Sequence, residues 1–261
     1  MRARRPWLDG TMTDPRATLR RPADRRRPAA RTATLVALSA LCVLVALVAV
    51  TPYLTGSLES LAADDAGLAR NYVDRPTAVR AAFFVHLVAG GAALLLSPWQ
   101  LWPGLRRRHP GLHRATGRTV VVAIGFAGVS GLVIAPVNEA GLVGVLGFGS
   151  LAVLWLAAAG LGWRAIRRGD VPAHRAWMIR AFALTFAGVT LRVWLGVLVG
   201  AQSLWPGSDA DPAAMFDRAY AVVPFLSWVP NLVVAERVVR RGRLRADGGP
   251  RPAAPPTAPA A

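Results

Sequence analysis

Long runs without a charge alternate along this chain with short segments crowded with arginine. The first run, from about Thr32 to Leu54, holds no charged residue. Its roughly 23 residues make about 34 Å of helix, enough to cross a hydrocarbon core about 30 Å thick. A cleaved signal peptide is the rival explanation. Its apolar region would run about 7–15 residues and end at a small-residue cleavage site, and neither condition is met. Five further runs follow the same rule, over about 79–102, 118–136, 142–163, 176–200 and 218–236. Pro103-Gly104, Pro136 and Pro206-Gly207 stand where helices should stop. The pattern predicts an all-α fold, an integral membrane helical bundle of about six transmembrane helices, with the membrane domain over 32–241. The turn between the third and fourth helices is so short that the two must be antiparallel neighbours. The flanking tails, 1–31 rich in Arg and Pro and 242–261 rich in Pro and Ala, bury little and are expected to be disordered.

Composition agrees with a membrane class: 54% of the 261 residues are hydrophobic and 17% charged, and the mean hydropathy is +0.38. The formal net charge is +17, and every basic residue is Arg. On a soluble chain that charge would suggest nucleic-acid binding. Here the arginines sit at the ends of apolar runs, and no basic region is interleaved with stacking aromatics, so the partner is the lipid bilayer and not a nucleic acid. Segments 1–31, 103–118, 164–180 and 236–261 carry 26 Arg against 6 acidic residues, whereas the alternate segments carry 4 Arg against 8 acidic residues. Positive residues stay on the cytoplasmic side during insertion, so both termini are expected in the cytoplasm, with the chain in a bacterial inner membrane. Trp99, Trp102, Trp163, Trp177, Trp205 and Tyr53 fall near the run ends, as interfacial anchors should. Cys42, in the middle of the first run, reads as a small buried hydrophobe.

Arg192 is the one arginine inside a run, and it changes the picture. An arginine near a helix centre costs about 2.5–3.5 kcal/mol on insertion scales, so it faces the bundle interior with a partner or snorkels to the interface. Thr185, Gly188, Arg192 and Gly196 fall on one helical face, and His86, Gly90, Ala93 and Ser97 form a matching stripe on the second helix. By helical rise, His86 lies about 9 Å and Arg192 about 12 Å inside the outer boundary. Asn138 and Glu139 end the third helix on the same side and could cap a shared cavity. Asn231 joins this set as a polar residue on the sixth helix. Together Arg192, Asn138, Glu139 and Asn231 are candidates for a small-anion or lipid-head-group pathway.

His113 and His174 open the third and fifth helices at the inner boundary, each after a Pro and before an Arg. They fit axial ligands of a haem b iron, another metal, a lipid or quinone head group, or simple contacts with phosphates. His86 is about 22 Å from the inner end of its helix, too far to share a metal with His113. Haem ligation by His113, His174 and His86 would describe an electron-transfer component with a quinone or another membrane redox protein as partner. Phe126-Ala127-Gly128-Val129-Ser130 and Phe186-Ala187-Gly188-Val189-Thr190 echo one another about sixty residues apart. Spans three–four and five–six are therefore either parallel repeats or chance matches between alanine-rich helices. No Gly-rich phosphate loop, His-Glu-x-x-His motif or Gly-x-Ser-x-Gly elbow is present.

Several of these residues also form a recognisable set. His86 with Gly90, Ser97-Pro98-Trp99-Gln100, His113-Arg114, Gly117-Arg118, the run His174 to Arg180, Thr190-Leu191-Arg192 and the stretch from Trp228 through Asn231 to Ala235-Glu236 lie in order along the chain. In these positions the chain resembles the bacterial membrane family called domain of unknown function 2306, over about residues 80–240. It departs at Val120, where that family often has an aromatic residue. The resemblance implies a multi-pass inner-membrane protein and brings no activity with it. More distantly, histidines on packed antiparallel helices are similar to those of di-haem membrane cytochromes of the b561 type, a likeness of fold level only.

Overall fold

A computed structural model of the chain describes residues 23–64, 68–204 and 211–247. All regular structure among them is helical. The long helices are α1 (Ala23–Thr55), α4 (Thr77–Gln100), α6 (Pro110–Ile134) and α7 (Gly141–Arg167), with a fifth crossing shared by α8 (Val171–Thr185) and α9 (Ala187–Ser203). Short helices α2 (Leu58–Ala63) and α3 (Ala69–Val73) link α1 to α4, and α5 (Pro103–Arg108) precedes α6. The chain closes with α10 (Pro212–Tyr220), α11 (Val223–Leu226) and α12 (Val229–Asp247). Five helices are long and apolar enough to cross a membrane, or six if the last, bent pair counts as one span.

The differences from the expected boundaries have local causes. Helix α1 begins at Ala23, inside the head segment expected to be disordered, and α12 runs to Asp247, into the expected tail. In both places the arginines extend a helix that the apolar run has already nucleated. Helix α6 starts at Pro110, eight positions before the apolar run, because Pro at the first helical position gives up no hydrogen bond. The span expected over 218–236 is broken instead, with a bend of 54° between Pro212–Tyr220 and Val223–Leu244. Pro224 and Pro230 lack the N–H groups that a continuous helix would use there. Trp205, Pro206-Gly207, residues 1–22 and residues 248–261 lie outside the described residues.

The core is built from small residues, as expected where lipid removes any hydrophobic drive between helices and close packing must do the work. Ala93 of α4, Ala123 and Ala127 of α6, Ala158 and Ala159 of α7 and Ala181 of α8 are buried in one cluster with Ile124, Leu184, Trp155 and Trp228. Gly147 of α7 lies so close to α11 that a β-carbon there would come within 2.5 Å of Pro224. The same glycine's carbonyl accepts from Trp228 Nε1 at 3.1 Å. Outward, Leu44, Val48, Val122, Phe126, Leu142 and Val197 are exposed. So many large apolar side chains on one surface suit hydrocarbon and would be a liability in water.

Two polar ties hold the bent elements. The fifth crossing breaks at Phe186, which frees carbonyls of the preceding turn. Asn231 Nδ2 of α12 reaches Ala183 O at 3.2 Å, Thr190 Oγ1 at 2.9 Å and Ser227 O at 3.0 Å, bridging that break to the last span. Near the arginine-rich end of the bundle Arg180 holds Glu236 with two hydrogen bonds, of 2.5 and 3.0 Å, and lies 4.5 Å over the Trp177 ring. Such a fork resists substitution by lysine. Replacing Asn231 by Leu should leave buried oxygens without a donor and cost about 1–3 kcal/mol. A lower unfolding midpoint of the purified variant in detergent checks this, and an unchanged midpoint would deny Asn231 that role.

Candidate functional site

Between α1, α4, α6, α7, α9 and α10 the helices leave a cavity of about 430 Å³. It falls in the usual range of about 300–1,000 Å³ for small-molecule sites. His86 of α4 and Arg192 of α9 both line it, together with Asn138, Tyr72, Thr185 and Tyr220. Of the two stripes, His86 and Gly90 on the second crossing and Thr185, Gly188 and Arg192 on the fifth line this space, whereas Ala93, Ser97 and Gly196 do not.

His86 is oriented from behind. Its Nδ1–H donates to the carbonyl of Ala127 on α6 at 2.8 Å. That bond fixes the neutral tautomer and leaves Nε2 as an acceptor, with no hydrogen-bond partner among the described residues. The ring has room because residue 131 is a glycine: a β-carbon there would sit 3.3 Å from both Cε1 and Nδ1 of His86. Arg192 spends one nitrogen, Nη1, on the carbonyl of Gly188 at 2.7 Å. No acidic side chain pairs with it among the described residues. A guanidinium has five N–H donors, so most of its capacity remains for whatever enters the cavity.

One end of the cavity is capped by aromatic rings. Phe83 stacks on Tyr72 with centroids 4.2 Å apart and meets Tyr53 edge-on at 5.2 Å. Tyr53 Oη of α1 accepts from Leu68 N at 2.9 Å, which ties the start of α3 to α1. Burial pushes the Tyr72 phenol up to about 12, so it stays a neutral hydroxyl. On the other side Gln202 Nε2 donates to Met215 O at 3.0 Å and Arg218 Nε donates to Gln202 Oε1 at 2.6 Å, docking α10 on α9. Asn138 caps the 3₁₀ turn Ala135–Val137 that follows α6 and lines the wall, where its Oδ1 accepts from Ala140 N at 2.7 Å. Glu139 is exposed beside the mouth, within electrostatic range of Tyr72 and Tyr220. Asn231 is not in the wall; its amide serves the helix break instead.

His113 and His174, near the starts of α6 and α8, form a second, separate group. His174 Nδ1–H donates to Gly162 O of α7 at 2.9 Å, leaving Nε2 bare. His113 lies within electrostatic range of His174. The Gln100 amide satisfies its neighbours when Nε2 donates to His113 Nδ1 (2.9 Å) and His113 O (3.2 Å) while Oε1 accepts from Gly117 N (3.3 Å). His113 then carries its proton on Nε2. A bis-imidazole haem asks both rings for a bare nitrogen, and only His174 offers one. In the cavity His86 offers one too, but no second imidazole faces it. These residues do not fit a bis-histidine haem. No group of three or more His, Cys, Asp or Glu that could hold a metal ion occurs among the described residues.

Most of the cavity wall, with His113 and His174, lies within a stretch that a family model matches: residues 83–239 fit the model described as a predicted membrane protein, DUF2306. The chain belongs to this family. Neither the curated proteins nor the solved structures give a match. Within the DUF2306 match lie His86, Asn138, Arg192 and Tyr220; Tyr72 and the wall residues Val45, Ala46, Ala49 and Val50 of α1 lie before it. The first helix, which carries no polar group of interest in its sequence, thus supplies one side of the site. Tyr72, Trp155, Phe216 and Tyr220 were not among the sequence candidates either. Their signal is proximity across the fold, which spacing along the chain does not carry.

The backbone bond to His86 makes a spectroscopic prediction. In ¹⁵N-histidine NMR at neutral pH, His86 should appear as an Nδ1–H tautomer alongside His174, and the His86 signal alone should vanish in His86→Gln. Gly131→Ala should shift that signal by crowding the ring. A His86 resonance of the Nε2–H form would reverse the donor and acceptor assignment.

Proposed function

We propose that this protein binds a small amphiphilic molecule in the outer half of the membrane, with the polar head on Arg192 and His86 and the apolar part in the remainder of the cavity. A transporter or an accessory membrane subunit would use such a site. The observation that carries the reading is a guanidinium facing a cavity, inside the span, with no acidic partner among the described residues. An ionisable group at that depth is costly to keep and is a functional candidate by default. Anionic or multiply accepting heads match its fork, since Arg binds carboxylate and phosphate in a bidentate way.

Oleate, with oleyl alcohol of the same chain as a neutral control, tests this in detergent-solubilised protein. Oleate should bind more tightly than the alcohol. Arg192→Gln should weaken oleate about 10–100-fold, in line with about 1.5–3 kcal/mol for hydrogen bonds to a charged group. Arg192→Lys should fall in between, because it keeps the charge and loses the fork. Affinity indifferent to both substitutions would remove Arg192 from the site.

The arginine distribution supports both termini in the cytoplasm of a bacterial inner membrane, with the working domain over 32–241. A fluorescent protein fused after residue 247 should then fluoresce, and alkaline phosphatase fused after Asn138 should be active. The opposite pattern would invert the topology.

A further inference from the structure

The cavity wall is more aromatic than an anionic head requires. Tyr72 and Phe83 stack at its mouth, Phe216 and Tyr220 stack with centroids 5.1 Å apart and an interplanar angle of 16°, and Trp155 lies deeper on α7. The Trp155 indole N–H is spent on Thr185 Oγ1 at 3.0 Å, so the ring offers its apolar surface and no free donor. Aliphatic side chains would be enough to line a passage for an acyl chain. Rings from four separate elements favour a flat conjugated guest, which can stack on them.

The polar pair narrows the choice further. His86 presents an acceptor, because its one N–H points back to Ala127 O. Arg192 presents donors. A carboxylate or phosphate would answer Arg192 and leave His86 Nε2 facing another acceptor. A ring hydroxyl answers both: the O–H donates to His86 Nε2, and a second oxygen on the same ring accepts from the Arg192 guanidinium.

We propose that the amphiphile is a quinol, held between His86 and Arg192 with its ring against the aromatic wall and its alkyl tail in the apolar part of the cavity. The assignment rests on the binding reading above, and it is one of binding, with no redox step assigned to the protein. Decylubiquinol kept reduced under argon, and oleate as the carboxylate comparison, can be titrated into the full chain in detergent and read by native mass spectrometry. The quinol should bind at least tenfold more tightly than oleate. His86→Leu should weaken the quinol at least tenfold and leave oleate within about twofold, whereas Arg192→Gln should weaken both. Quinol affinity no better than that of oleate, or unmoved by His86→Leu, overturns the quinol assignment while an Arg192-dependent oleate isotherm keeps the binding reading. Absence of binding by either probe overturns both. If His86→Leu loses its monodisperse gel-filtration peak, Trp155→Leu puts the same question to the wall: it should weaken the quinol more than oleate, and equal weakening overturns the assignment.

Discussion

A guanidinium held inside a membrane span must be enclosed by protein or reached by water, and the arrangement of this bundle can be followed from that requirement. Arg192 cannot rest against lipid at low cost. Small residues bring the helices together below it, around Ala93, Ala123, Ala127 and Ala158. Larger rings hold them apart above it, around Phe83, Phe216 and Tyr220. The difference in side-chain size between the two levels opens a space at one depth and closes it at another.

The same logic explains the polar residues that are not in the site. In hydrocarbon a freed backbone carbonyl has no water to turn to. The break at Phe186 would leave such groups, and Asn231, with Thr190 and Ser227 around it, occupies that position. Thr185 serves two neighbours at once, donating to Ala181 O at 2.8 Å and accepting from Trp155 Nε1. These bonds fix the bent fifth crossing that turns Arg192 toward the cavity. Some of the polar side chains in the spans thus maintain geometry, and His86 and Arg192 are distinguished from them by the capacity they leave unused.

Much of this was legible in the chain, for identifiable reasons. The apolar runs marked the crossings because length and charge are counted locally. Depth could be counted in the same way, so His86 and Arg192 were matched before any contact was known. The bend after Tyr220 was not legible, because the apolar run continues through Pro224 and Pro230 and composition does not distinguish a straight helix from a broken one. The role of Asn231 was misjudged for a similar reason: polarity inside a span signals a demand for hydrogen bonds, and only the neighbouring backbone says whether a ligand or a helix break meets it. The tautomer of His86 depends on Ala127, forty-one positions away, and on the missing side chain at Gly131. Such relations between distant helices have no trace in spacing.

One wall of the cavity comes from α1, whose Val45, Ala46, Ala49 and Val50 lie outside the matched stretch 83–239. Part of the apolar volume is thus coded outside the stretch that holds His86 and Arg192. Exchanging Ala46 or Ala49 for larger residues would shorten the molecule that fits while leaving His86 and Arg192 untouched. Under the binding proposed above, the first helix would act as a gauge, setting how much guest the remaining helices could accept.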